Sequence, residues 1–154
     1  MIRPAEPKDR EAILEITRRA WAGRCVAFLL EERHGTIGGT PWHEHKCGDV
    51  RAMCEADWSH VFVYEEDGRV VGYAGWGYYP ERRVGEVENN AVDPDFQGRG
   101  IATALIARVV EELRRQGARV LIVHALAGNH AARRVYEKMG FELLVDSVMY
   151  SMDA

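Results

Sequence analysis

The spacing of hydrophobic and polar positions changes period twice along the chain. Over residues 7–21, Ile13, Leu14, Ile16, Ala20 and Trp21 recur at three- and four-residue intervals, which is one stripe of a helix. Pro7 suits the first turn. Asp9 and Glu11 lie at the positive end of its dipole, and Arg18 and Arg19 at the negative end. A second helix is expected over about 24–33. A Gly- and Pro-containing loop follows over 34–41, and then a helical stretch over 49–56. From Ser59 the period falls to two. His60–Tyr64 and Val70–Tyr79 read as strands joined by the hairpin turn Glu66-Asp67-Gly68-Arg69, and Val84–Val92 as a third strand after a turn over 80–83. Together these predict an antiparallel meander. Gly72, Gly75 and Gly77 within the second strand suggest a bulge or the close approach of another group.

The helical period returns over 98–116, where Ile101, Leu105, Val109 and Leu113 recur every fourth residue and Gly117 supplies the stop. Val120–Val123 is a continuous apolar run, as expected of a strand covered on both faces. A strand–helix–strand unit places it parallel to Val84–Val92. A helix over about 129–139 ends at Gly140. Two short strands, 141–145 and 148–152, close the pattern, and residues 2–5 suit an edge strand. The result is an α/β chain with a mixed, mostly antiparallel sheet, read as one domain over 1–154.

Composition narrows the function. The net charge of −4 argues against a nucleic-acid binder. No apolar run nears the ~20 residues that cross a bilayer, so no membrane association is expected. The N-terminus lacks a signal-peptide core. Three irregularly spaced cysteines make no disulfide framework, and a cytoplasmic setting fits them.

The candidate chemistry starts at Asp93-Pro94-Asp95-Phe96-Gln97-Gly98-Arg99-Gly100, where a strand runs through a turn into the long helix. The first N–H groups of a helix lack internal partners and carry the positive end of its dipole, and glycine lets a ligand reach the backbone. This is the sequence of an anion site, most simply for phosphates. A dinucleotide fingerprint fails because Thr103 holds its third glycine position and a meander precedes it. A nucleotide P-loop fails for want of Gly-Lys-Ser/Thr.

What remains, Gln97-x-x-Gly100-x-Ala102, resembles the Gln/Arg-x-x-Gly-x-Gly/Ala signature of the GNAT superfamily of acetyl-CoA-dependent N-acetyltransferases. The prelude Ala91-Val92-Asp93-Pro94 and the later run Asn129-x-x-Ala132-x-x-x-Tyr136-x-x-x-Gly140-Phe141 match that family too. The resemblance covers 61–141 well, and the first third only by its order of elements. It implies the GNAT fold, with helices on both faces and a splayed parallel strand pair. It also implies acetyl-CoA as co-substrate, with its pantetheine arm along Asn90, Ala91 and Val92. The pyrophosphate would lie on the backbone of Gln97, Gly98, Arg99, Gly100, Ile101, Ala102 and Thr103, and Asn129 would bond the cofactor or simply cap its helix. No metal is expected, and a homodimer is consistent with the family.

The reaction implied is direct attack of a primary amine on the thioester in a ternary complex. An alkylammonium, with a pKa of about 10, must first lose a proton. Glu86 stands where several family members keep a catalytic glutamate. Glu88 is the second candidate, sharing its strand face unless a bulge intervenes. Tyr136 resembles the tyrosine that protonates the departing thiolate, and His124 is an outside candidate for base. Asn89-Asn90 departs from the family pattern, which often has Leu or Ile at 90, and leaves the register of the glutamates open. His43, His45, Cys47 and Cys54 lack a recognised zinc spacing. Of the pairs Trp76/Tyr78 and Tyr73/Tyr79, one lines the acceptor pocket or both pack the sheet. The acceptor is expected to be a small-molecule amine. Alternatives are a protein lysine or N-terminus and, in another class, a non-catalytic acyl-CoA-binding or sensor domain.

Overall fold

The computed structural model describes residues 1–154. Strands β1 (Ile2–Pro4), β2 (Val61–Glu66), β3 (Arg69–Tyr79), β4 (Val84–Val92) and β5 (Val120–Val123) form one sheet in the order β1-β2-β3-β4-β5. Helices α1 (Arg10–Ala20), α2 (Val26–His34) and α3 (Trp42–Ala56) precede the meander. Helix α4 (Ile101–Arg115) crosses from β4 to β5, and α5 (His130–Lys138) follows. The first four strands pair antiparallel, and β4 pairs parallel to β5. The β2–β3 hairpin turns at Asp67 (φ 51°) and Gly68 (φ 77°), two successive positive φ values that match the twist of the strands it joins.

Each face of the sheet has its own core. Phe62, Val71, Ala74, Trp76, Val87 and Val92 pack beneath Ile101, Leu105, Val109 and Leu113 of α4 and Tyr136 of α5. Val61, Val63 and Tyr73 pack on the other face against Ile13, Leu14 and Ile16 of α1 and Cys47, Val50 and Cys54 of α3. Burying the two-sided strands accounts for their near-continuous apolar sequence. The aromatic pairs of β3 serve mainly this packing. Trp76 and Tyr78 join the α4 side, and Tyr73 joins the α1 side, where its hydroxyl meets Thr17 at 2.9 Å and Trp21 at 3.0 Å.

Two segments differ from the sequence expectation. Helix α3 begins seven residues earlier than the expected 49, at Trp42, because Pro41 sits in extended conformation (φ −68°, ψ 153°) and Gly48 is accommodated within the helix. The strands expected over 141–145 and 148–152 do not form. Beyond Phe141 the backbone makes no backbone hydrogen bond, so the alternating apolar residues have no ladder to join. Leu143, Leu144, Val145, Val148, Met149, Tyr150 and Met152 are exposed. The segment is tied instead to α2, through His34 Nδ1 to Asp153 (2.8 Å) and His34 Nε2 to Ser151 (2.9 Å).

Candidate active site

The site arises from a difference in strand length. Pairing between β4 and β5 ends at Val87↔Val123, whereas β4 continues, paired to β3, as far as Val92. The last five residues of β4 therefore have no neighbour on the β5 side. A cleft of about 950 Å³ opens there, bounded by the β4 end, the first turn of α4, α5 and the α1–α2 connection.

The turn at the cleft is fixed by ionic and backbone contacts. Asp93, buried, accepts from Arg19 (2.8 Å), Arg69 (2.7 Å) and the N–H of Asp95 (3.0 Å). Gln97 donates through Nε2 to the carbonyl of Val92 at 3.1 Å, which folds the turn back on the strand. Gly98 (φ 78°) and Gly100 (φ 79°) take left-handed backbone conformations, and a Cβ at either would meet open space. Conformation, not crowding, thus demands glycine here. The first backbone bond of α4 is donated by Ala104 to Gly100 at 3.0 Å. The six N–H groups from Gly98 to Thr103 have no acceptor within the protein. Unpaired donors at the positive end of a helix form an anion cradle. Gln97, Gly98, Gly100, Ile101, Ala102 and Thr103 line the cleft. The Arg99 side chain turns away, meeting Glu66 at 3.4 Å and lying 4.8 Å from the Phe96 ring.

Asn90, Ala91 and Val92 line the cleft along the unpaired strand end. The register shift between Ala74 and Trp76 of β3 sets two residues of β4, Glu88 and Asn89, opposite Gly75. Glu88 is itself the first residue of this β-bulge, and its carboxyl stays close enough to Glu86 to feel that charge. Glu86 accepts from the hydroxyl of Tyr79 at 3.1 Å. Glu88 leans over Gly77, where a Cβ would stand 2.8 Å from its Oε1. Gly75 likewise makes room for Met53, and Gly72 for Leu105 and Ile101, so all three glycines of β3 mark close approaches. Burial first, and the neighbouring Glu86 second, push the Glu88 carboxyl above the ordinary range.

Asn90 spans the bulge. Its Nδ2 donates to the carbonyl of Glu88 (2.9 Å) and to the hydroxyl of Tyr136 (3.3 Å). Tyr136 is buried between β4 and α5, and burial raises its pKa, partly offset by the Asn90 donor. Its place is set by the C-terminal stop of α5. Gly140 adopts φ 94°, and the N–H of Phe141 returns to the Tyr136 carbonyl at 3.0 Å. At the other end of α5, Asn129 caps the helix by accepting from the N–H of Ala132 at 3.3 Å, while also lining the cleft. His124 is 84% exposed, with Nδ1 3.4 Å from Glu86 Oε1.

The cleft also has a wall that sequence reasoning missed, made of Trp21, Arg24, Cys25 and Lys46. Lys46 is buried on α3, next to Cys47 and one turn before Val50. A helix started at Trp42 puts a lysine on an apolar stripe, and that is the signal that would have found it. The remaining residues of the His/Cys group disperse. Cys47 and Cys54 are in the core, His43 meets Glu44 at 3.4 Å, and His45 meets the carbonyl of Ile37 at 3.2 Å.

The family model described as "Acetyltransferase (GNAT) family" matches residues 27–141. The chain belongs to the GNAT acetyltransferase family. A mycothiol acetyltransferase of Saccharomonospora viridis is 31% identical over 159 residues, covering 94% of this chain and 46% of that protein. An uncharacterized N-acetyltransferase of Methanocaldococcus jannaschii is 35% identical over 146 residues, covering 92% and 60%. The chain thus spans about half the length of these curated relatives. Among solved structures, yncA of Salmonella typhimurium, described with its cofactor acetyl-CoA, superposes with a TM-score of 0.68 at 28% identity, covering 94% of this chain and 80% of that one. The mixed sheet and its opened parallel pair are those of a GNAT protein. No helix is long and apolar enough to cross a membrane.

Proposed function

We propose that this GNAT chain is a single-domain N-acetyltransferase that passes the acetyl group of acetyl-CoA directly to a primary amine on a small molecule. One observation carries the reading: six unpaired N–H groups, Gly98–Thr103, adjoin a strand end that has lost its neighbour. The first suits a pyrophosphate, and the second offers backbone bonds to an amide-containing arm, as an added strand would. The small-molecule reading draws on the mycothiol acetyltransferase relatives, of which this chain spans less than half.

In this mechanism Glu88 takes the proton of the acceptor ammonium, directly or through water, with Glu86 beside it as the second candidate. Sequence position favours Glu86, but burial raises the Glu88 carboxyl toward the working pH, which suits Glu88 to accept a proton. The free amine then attacks the thioester carbonyl. A nitrogen–carbon bond forms, the nitrogen gives up its second proton to water, the carbon–sulfur bond breaks, and CoA leaves as thiolate. A backbone N–H at the β4 bulge polarises the carbonyl, a contribution of about 3 kcal/mol for one donor. Tyr136 returns a proton to the sulfur, and Asn90, donating to its oxygen, stabilises the phenolate left behind. Asn129 and the Asn90–Val92 backbone hold the cofactor.

Calorimetry with acetyl-CoA, followed by thiol release on an amine panel, tests this reading. Binding with thiol release that depends on the amine is expected. Absence of binding overturns the reading, and binding without release on any amine favours a non-catalytic acyl-CoA sensor.

A further inference from the structure

Lys46 is 8% exposed and forms no ion pair. Its ammonium makes one hydrogen bond, to Asn89 Oδ1 at 2.6 Å, and lies 3.9 Å from the centre of the Trp21 ring. An ammonium carries three donors, so the neutral amide and the ring face leave it short of partners. Charged lysines are seldom buried without a carboxylate, because desolvation costs more than one neutral contact returns. Burial accordingly lowers its pKa. Arg24 lines the same part of the cleft and also has no ion pair; the carboxylate that acts on Lys46 is Asp49 of α3, which makes no hydrogen bond or ion pair to it and does not line the cleft. The carboxylates that line the cleft are Glu86 and Glu88, on β4.

We infer that Lys46 is the anion-recognition point of the acceptor site, and that the acceptor is a primary amine that also carries a carboxylate, as an amino acid or short peptide does. The placement on β4 supports this. Asn89, which holds Lys46, directly follows Glu88, and the bulge sets both opposite Gly75. One small molecule can thus present its ammonium to Glu88 and its carboxylate to Lys46. The fit is selective in both directions. A neutral amine leaves the buried ammonium unpaired, and an acceptor with a second cation meets Lys46 and Arg24 as like charges. The inference rests on the acetyltransferase reading and deepens it by naming the acceptor class.

The test uses free amino acids and dipeptides, each against its own C-terminal amide, with acetyl-CoA and thiol release as readout. The acids should exceed their amides at least tenfold in kcat/KM. Lys46→Met should collapse that ratio toward one by raising KM for the acids, and Lys46→Arg should keep part of it, with thermal melting checking that both variants fold. Equal use of acids and amides by the unaltered protein overturns the assignment, as does an equal loss on both in Lys46→Met. So does turnover confined to amines outside the panel. Failure to bind acetyl-CoA at all is a separate result, and sinks the acetyltransferase reading beneath it.

Discussion

The two halves of the cleft are built on different principles. The half proposed to hold the cofactor, from the end of β4 through α4 to α5, is made largely of backbone. Its donors are the N–H groups of Gly98–Thr103 and its shape comes from two positive-φ glycines within one turn, braced through Asp93 by Arg19 and Arg69. The half proposed to hold the acceptor is made of side chains from distant segments. Trp21 comes from the end of α1, Arg24 and Cys25 from the connection to α2, Lys46 from α3, and Glu88 and Asn89 from β4. A backbone site tolerates change at its side chains and breaks when its dihedrals change. A side-chain site can be re-aimed by a single substitution.

The largest effect should separate chemistry from cofactor binding. Glu88→Gln should lower kcat by about 10²–10⁴-fold, the span of general-base contributions, while calorimetric affinity for acetyl-CoA stays within twofold or so. The pH profile carries the sign. Protonating Glu88 removes the base, so kcat/KM falls as pH drops through a value above the ordinary carboxylate range, and the variant should lack that limb. If Glu86→Gln shows both changes instead, the two glutamates exchange roles. Next in size is Asp93→Ala, which strands Arg19 and Arg69 and frees the turn. Denaturant titration should show a loss of about 1.5–3 kcal/mol, the range for hydrogen bonds to a charged group, since Arg19 and Arg69 keep access to water once Asp93 is gone. A loss below 1 kcal/mol would mean that the glycine turn holds itself.

Two smaller effects sharpen the contrast. Tyr136→Phe keeps the ring packing and removes the proton donor and the Asn90 contact, so kcat should fall about tenfold or more with little change in acetyl-CoA affinity. Undiminished turnover makes Tyr136 a packing residue. Gly100→Ala has the reverse signature. The positive φ disfavours a side chain by about 1–2 kcal/mol, so affinity for acetyl-CoA should weaken roughly tenfold while kcat at saturation is nearly kept.

The same contrast explains what could be read from the sequence. The β2–β4 meander, α4 and β5 were legible because their periods are long and their turns carry Asp67-Gly68 and Gly117. The anion site was legible because Gln97, Gly98 and Gly100 lie within one turn of each other. Asn89-Asn90 marks an irregularity, but only the pairing of Ala74 with Asn90 and Trp76 with Val87 puts the bulge at Glu88-Asn89, beyond Glu86. Lys46 was not legible, because its meaning depends on Trp21 and Asn89, 25 and 43 positions away, and on a helix start hidden by Pro41 and Gly48. The C-terminal alternation over 141–152 suggested strands, yet a strand needs a neighbour as well as a pattern, and this backbone has none.

The central claim is that acetyl-CoA lies on the unpaired end of β4 and on the N–H run that opens α4. Amide hydrogen exchange, with and without saturating acetyl-CoA, tests it most directly. Protection should rise at Gly98–Thr103 and at Asn89–Val92, with the first turn of α1, which does not line the cleft, unchanged. Exchange at those two runs that stays the same while calorimetry shows the ligand bound would contradict the claim and put the cofactor elsewhere.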